Sequence, residues 1–200
     1  MARVRLIDEK YDYEGFLRVR LSKLHYERLV SIPDPVLHLW IADIIRVANP
    51  SDVYVIVGSS EDRLYVRRKA LETGEEIPTK YRYKTVHFDG PRDLARDRGN
   101  TRILVRGGVE IPFLNTLDRS TGLEEVKKLF VNAMMGKTMY IIPLCMGPHR
   151  SDFTLYGIQV TDSAYVAHSE FLLYRICYDE FRDGTAISKG YSRFLHSVGE

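Results

Sequence analysis

The segment Asp89-Gly90-Pro91-Arg92-Asp93-Leu94-Ala95-Arg96-Asp97-Arg98-Gly99-Asn100-Thr101 carries the side chains best suited to gripping an anion. Arg92 and Arg96 stand four apart, on one face of any helical turn, and Gly90-Pro91 lets a ligand come close at its start. A guanidinium is planar and permanently charged, and it forks onto a carboxylate or phosphate through two parallel hydrogen bonds. A small dianion could be held here. The same spacing also describes an i, i+4 cluster neutralised by Asp93 and Asp97, and the residues alone leave both readings open.

Other constellations exclude more than they offer. Gly136-Lys137-Thr138 matches the end of the phosphate loop G-x-x-x-x-G-K-[ST], but the loop needs a glycine where Val131 stands, and it must precede a helix rather than a strand. It is rejected as a nucleotide site. The strand, Gly58-Ser59-Ser60 turn and following helix could place a phosphate at a helix N-terminus, although Ser60 is explained equally well as a plain N-cap. His168-Ser169-Glu170 lacks the P-C-x-x-C of a zinc deaminase, and there is no H-E-x-x-H, G-x-S-x-G or G-x-G-x-x-G. No metal site and no complete catalytic motif is expected from these residues.

The elements that position these groups follow from periodicity. Residues 14–30 read as one amphipathic helix with a basic outer face, and Ile32-Pro33-Asp34-Pro35 breaks it. Asp34 caps a second helix with Pro35 at its first position, burying Val36, Leu37, Leu39, Trp40, Ile41, Ile44, Ile45 and Val47 before Asn49-Pro50. Strands are predicted at 53–57, 85–88 and 102–105, with helices at 61–72, 92–98 and 123–134, the last introduced by Ser120 or Thr121. Strands alternating with helices argue an α/β domain built on one mixed β-sheet with flanking helices.

Composition sets the outer limits. A chain of 200 residues suits one domain, 44% hydrophobic and 28% charged residues are ordinary for a soluble protein, and 29 basic against 27 acidic side chains give a net charge of only +2. That balance offers no field to attract nucleic acid or membrane, and no run approaches the length of a membrane span, so neither is an expected partner. The start lacks the apolar stretch of a signal peptide, which makes the cytoplasm the expected location. Cys145 and Cys177 lie in different apolar segments and outside any C-x-x-C, reading as reduced core residues.

The stretch from Met135 to Glu170, MGKTMYIIPLCMGPHRSDFTLYGIQVTDSAYVAHSE, organises the rest. Residues 138–146 form a run apolar on both faces, Gly147-Pro148 stops it, and residues 153–160 supply a second run suited to antiparallel pairing. Thr161-Asp162-Ser163 then offers N-cap side chains to a helix-spaced apolar series through Ile176.

The ordered succession G-K-T-M-Y-I, M-G-P and T-D-S-A-Y-V-A-H-S-E, with Leu173-Tyr174-Arg175 and the closing F-L-H-S-V-G of residues 194–199, resembles GTP-dependent phosphoenolpyruvate carboxykinase, most closely its archaeal branch. The resemblance implies that residues 1–200 are that family's amino-terminal domain, with its fold. It also implies that the nucleotide- and metal-binding domain is absent, since enzymes of the family are much longer. On this reading Arg96, in the family's D-x-A-R, binds the carboxylate or phosphate of oxaloacetate and phosphoenolpyruvate, while Arg92 is structural. No catalytic, metal or nucleotide residue is assigned, and no cofactor is bound by this chain, manganese and GTP being implied only for the full-length enzyme. The expected function is the substrate-supporting part of that enzyme, inactive alone and partnered by the missing carboxyl-terminal catalytic domain. The alternative is a stand-alone non-catalytic binding or regulatory protein that retains the fold.

Overall fold

The computed structural model describes residues 11–90, 97, 99–107, 109 and 111–199. Where one helix is predicted over residues 14–30, the chain forms two, α1 (Tyr13–Arg20) and α2 (Lys23–Val30). Leu21 is extended, and the Ser22 side chain accepts from the His25 N–H, so a local cap wins over continuation of the helix. The third helix, α3 (Pro35–Ala48), follows expectation: Asp34 accepts from the Val36 and Leu37 N–H groups, and Asn49 ends it in the left-handed conformation. Its buried stripe is Leu37, Ile41, Ile44, Ile45 and Ala48, whereas Val36 faces solvent.

Strand β1 (Asp52–Val55) leads into α4 (Ser60–Glu72), which Ser59 rather than Ser60 caps. Two small ladders follow. β2 (Ile77–Pro78) and β3 (Thr85–Val86) pair antiparallel, while β4 (Ile103–Val105) and β5 (Thr116–Asp118) pair parallel. Asp118, not Ser120 or Thr121, caps α5 (Arg119–Phe130), because its carboxylate reaches the N–H groups of both those residues at once. The chain then runs through β6 (Thr138–Met146), β7 (Leu155–Thr161), α6 (Ala164–Leu173), β8 (Arg175–Ile176), α7 (Tyr178–Arg182), α8 (Thr185–Lys189) and β9 (Tyr191–Leu195).

The main sheet has the order β1-β6-β7-β9, with β8 also pairing β6. β1 is parallel to β6, β7 antiparallel to it, and β9 parallel to β7, so the sheet is mixed, as expected. β6 is buried from Met139 to Cys145, and its side chains divide with period two. Met139, Ile141 and Cys145 enter one core with α1, α3 and α7; Tyr140, Ile142 and Leu144 enter a second core under α4 and α6. This is why the run shows no polar alternation.

The turn after β6 depends on Gly147, whose φ is +85° and where a Cβ would lie 2.9 Å from the Phe153 carbonyl oxygen. Ser151 and Thr154 hydroxyls both donate to the Pro148 carbonyl and fix this turn. Beyond it the second core runs out. Met146, Leu155 and Phe194 are all about half exposed or more, around an open depression of about 600 Å³ on the β7–β9 end of the sheet.

Candidate functional site

Three motifs separated in sequence meet at one buried carboxylate. Asp162, after β7, takes Lys137 Nζ at 3.2 Å and Ser197 Oγ at 2.7 Å on Oδ2, and the Val198 N–H at 3.0 Å on Oδ1. Lys137 also donates to the Gly199 carbonyl. One residue earlier, Thr161 Oγ1 accepts from the Ser163 N–H and meets His196 Nδ1 at 2.9 Å, while the His196 N–H extends the β9 ladder to the Val160 carbonyl. G-K-T, T-D-S and H-S-V-G are therefore parts of one knot. The lysine of G-K-T is committed to a carboxylate and a carbonyl, and Thr138 begins a strand, which supports rejecting a phosphate loop.

The N-terminus of α6 is already filled. Ser163 caps it, accepting from the Val166 N–H, and donates to Glu75, whose carboxylate also takes the N–H groups of Ala164 and Tyr165 at 3.1 and 3.0 Å. A side chain nearly ninety residues away thus occupies the place an anionic ligand would take. Glu76 pairs with His168 at 2.6 Å, and the His87 ring stacks on Tyr165 at 3.7 Å between centroids. On the same helix, burial pushes the Glu170 carboxyl up to about 7.

The start of α4 is closed in the same way, which corrects the phosphate reading of the Gly58-Ser59-Ser60 turn. Asp62, fully buried, accepts from the N–H groups of Val57, Gly58 and Ser59 at 2.7, 3.0 and 3.3 Å, from Tyr54 OH at 2.9 Å, and from Arg28 Nη1 at 3.0 Å. Ser59 returns the bond to the Asp62 N–H, completing a capping box. Gly58, at φ +89°, lets the chain turn toward these amides beneath Ile176. Burial raises the Tyr54 hydroxyl to about 12, reinforced by the Asp62 charge. A carboxylate of the chain itself thus takes the Val57, Gly58 and Ser59 amides that a phosphate on this turn would compete for.

Arg96, the expected substrate contact, lies outside the described residues, as do Arg92 and Asp93. The chain on either side of it is anchored. Upstream, His87 holds the α6 N-terminus through Tyr165 and lies 3.6 Å from Asp89. Downstream, the Asp97 carboxylate accepts from the Gly99 and Asn100 N–H groups and from Asn100 Nδ2, and Asn115 Nδ2 donates to the Gly99 carbonyl. These local bonds hold the Asp97 carboxyl below its ordinary range, the Asn100 side chain foremost.

One group of metal-ligating type occurs among the described residues: His149, Cys177 and Glu180 present ligand atoms within 4.8 Å of one another. Glu180 already accepts from Arg150 Nε at 2.9 Å and lies 2.7 Å from His149 Nε2. A thiol beside an arginine-paired carboxylate does not suit manganese, which favours oxygen ligands. The sequence carries no sign of Glu75 and offers Asp162 only as an N-cap side chain, because their partners are remote; Asp62 does carry a local signal, as the fourth residue of Ser59-x-x-Asp62.

The phosphoenolpyruvate carboxykinase N-terminal domain family matches residues 39–200. Proteins called phosphoenolpyruvate carboxykinase [GTP] are similar over nearly the whole chain. That of Pyrococcus horikoshii is 47% identical over 184 residues, 92% of this chain and 30% of its own length. That of Thermococcus sibiricus is 43% identical over 187 residues, 94% of this chain and 30% of its own length. That of Saccharolobus solfataricus is 40% identical over 185 residues, 92% of this chain and 30% of its own length. The chain spans about 30% of the length of the curated relatives it matches.

Proposed function

Because the chain belongs to the phosphoenolpyruvate carboxykinase N-terminal domain family, we infer that it serves as the substrate-supporting part of a GTP-dependent phosphoenolpyruvate carboxykinase. That enzyme converts oxaloacetate and GTP to phosphoenolpyruvate, carbon dioxide and GDP, a step of gluconeogenesis, in the cytoplasm. The observation that carries this reading is the 47% identity extending over 92% of the chain. The geometry agrees with it. Lys137 and the start of α6 are bonded internally, and Asp62 takes three amides ahead of α4; on this reading GTP binds on a part of the enzyme outside this chain.

On the same reading manganese is held by that other part of the enzyme; among the described residues the one group of metal-ligating type does not suit it. The carboxyl-terminal catalytic domain is the expected partner, and the uncovered apolar side chains Met146, Leu155 and Phe194 are the kind of surface a neighbouring domain covers. No helix among the described residues is long and apolar enough to cross a membrane.

Two experiments test this reading. The isolated 200-residue protein should show no GTP-dependent conversion of oxaloacetate in a metal-supplemented assay; turnover by the pure chain would overturn the assignment of nucleotide and metal sites elsewhere.

In the full-length enzyme, Arg96→Ala should remove one bidentate, charge-assisted contact to the substrate dianion, about 2–4 kcal/mol or roughly 30- to 900-fold in kcat/KM. Arg96→Lys should not restore it, because an ammonium cannot fork. The melting temperature should barely move. A sharply lowered melting temperature with kcat/KM intact would make Arg96 a structural ion-pair member and the substrate role wrong.

A further inference from the structure

We propose that Cys145 and Cys177 are a disulfide-forming pair, a modification site that ties the central strand to α7. In the β6–β8 ladder Cys145 lies opposite Arg175 and Leu144 opposite Ile176, and the Cys177 N–H then bonds the Pro143 carbonyl. Cys177 is thus two residues along from the partner of Cys145, on the same face of the sheet, which makes the two a diagonal cross-strand pair. Both thiols are about 1% exposed, and Cys177 Sγ donates to Cys145 Sγ at 2.6 Å. Cys177 precedes α7 without giving it a side-chain cap, so its sulfur serves no other local bond of that helix.

A cation is the competing use of these sulfurs, since His149 and Glu180 stand beside Cys177. The Arg150 guanidinium on Glu180 disfavours it, for a second positive charge would have to enter next to the first. Burial, and after it the neighbouring Cys145 thiol, hold the Cys177 thiol well above the ordinary range, so the reduced pair rests as two thiols.

The oxidant is a low-molecular-weight disulfide. One cysteine thiolate attacks an oxidant sulfur and expels a small thiolate, which takes up a proton. The second cysteine, having released its proton, attacks the protein sulfur of the mixed disulfide and expels the second small thiol. Two protein thiols and one small disulfide become one protein disulfide and two small thiols. With both sulfurs buried, the exchange takes place during folding or transient opening, and the closed bond then spans 32 positions of chain.

The test uses the whole chain incubated with oxidised glutathione, then denatured, alkylated with iodoacetamide and digested. The expected product is a monomer in which the Cys145 and Cys177 peptides are joined and two hydrogens lighter than the thiol pair. Its melting temperature should rise by about 7–15 °C, the range for closing a loop of this size in a chain of this length. Dithiothreitol should reverse the rise, and Cys145→Ser and Cys177→Ser should each abolish it. Complete alkylation of both cysteines after oxidation, glutathione adducts without an internal bridge, or a zinc ion that binds the reduced pair and blocks oxidation would each overturn the proposal. Should the serine variants fail to fold, the peptide masses of the unaltered protein decide it alone.

Discussion

Asp62→Ala is expected to destabilise the domain by about 3–5 kcal/mol, the cost of removing one partner from a buried ion pair, and to lower its melting temperature by roughly 6–20 °C. The carboxylate is fully buried and receives three backbone N–H groups, the Tyr54 hydroxyl and the Arg28 guanidinium. Alanine would leave all of those donors without their acceptor, though Arg28 would keep its bond to the Val55 carbonyl. Asp62→Asn should recover only part of the loss, because its amide nitrogen would point at donors.

The pH dependence has a definite sign. Burial by itself would raise the Asp62 carboxyl, but the Val57 N–H, Tyr54 and Arg28 overcome it and hold the group below its ordinary 3.8. A depressed carboxylate stabilises the fold above the unfolded value, and that contribution is lost as pH falls through the folded one. The unaltered protein should therefore lose stability steeply below about pH 4, and Asp62→Asn should show a shallower acid slope in urea titrations between pH 7 and pH 2. Parallel slopes, or a melting temperature within a degree or two of the original for Asp62→Ala, would show that the five donors find replacements in water.

Asp162→Ala is the second large effect, again about 3–5 kcal/mol, since Lys137 would keep its charge in a partly buried place with no carboxylate beside it. The loss should be local as well as global. Val198 N–H and Ser197 Oγ both bond Asp162, with Lys137 on the Gly199 carbonyl beyond them, whereas the His196 N–H has its own bond to Val160. Hydrogen exchange should accelerate first at Val198 and less at His196, while amides in β6 retain their order of protection. Lys137→Met should cost less than Asp162→Ala, because the lysine side chain is about one-third exposed and removing it leaves a carboxylate that still has two donors. Unchanged Val198 exchange in Asp162→Ala would show that this segment is held by β9 and the Lys137 bond to Gly199 without Asp162.

The sequence by itself determined features whose causes are local. Asp34 with Pro35 began α3, Asn49 ended it, Gly147-Pro148 stopped β6, and Thr161-Asp162-Ser163 supplied the cap of α6, because a cap or a turn needs only neighbours within a few residues. The unbroken apolar run of β6 likewise required cover on both faces, and two cores supply it. The break between α1 and α2 was harder to read, since the apolar spacing continues across Ser22 while the backbone does not.

Only the tertiary structure decided what each polar group faces. Nothing near Glu75 says that it fills the start of α6, nothing near Lys137 says that its partner is Asp162, and no spacing rule joins Cys145 to Cys177. Those pairings depend on strand order and register, which bring together positions 25 to 90 residues apart. A helix start that looks ready for an anion in sequence is ready only if no carboxylate of the same chain reaches it first, and at α6 the remote Glu75 does.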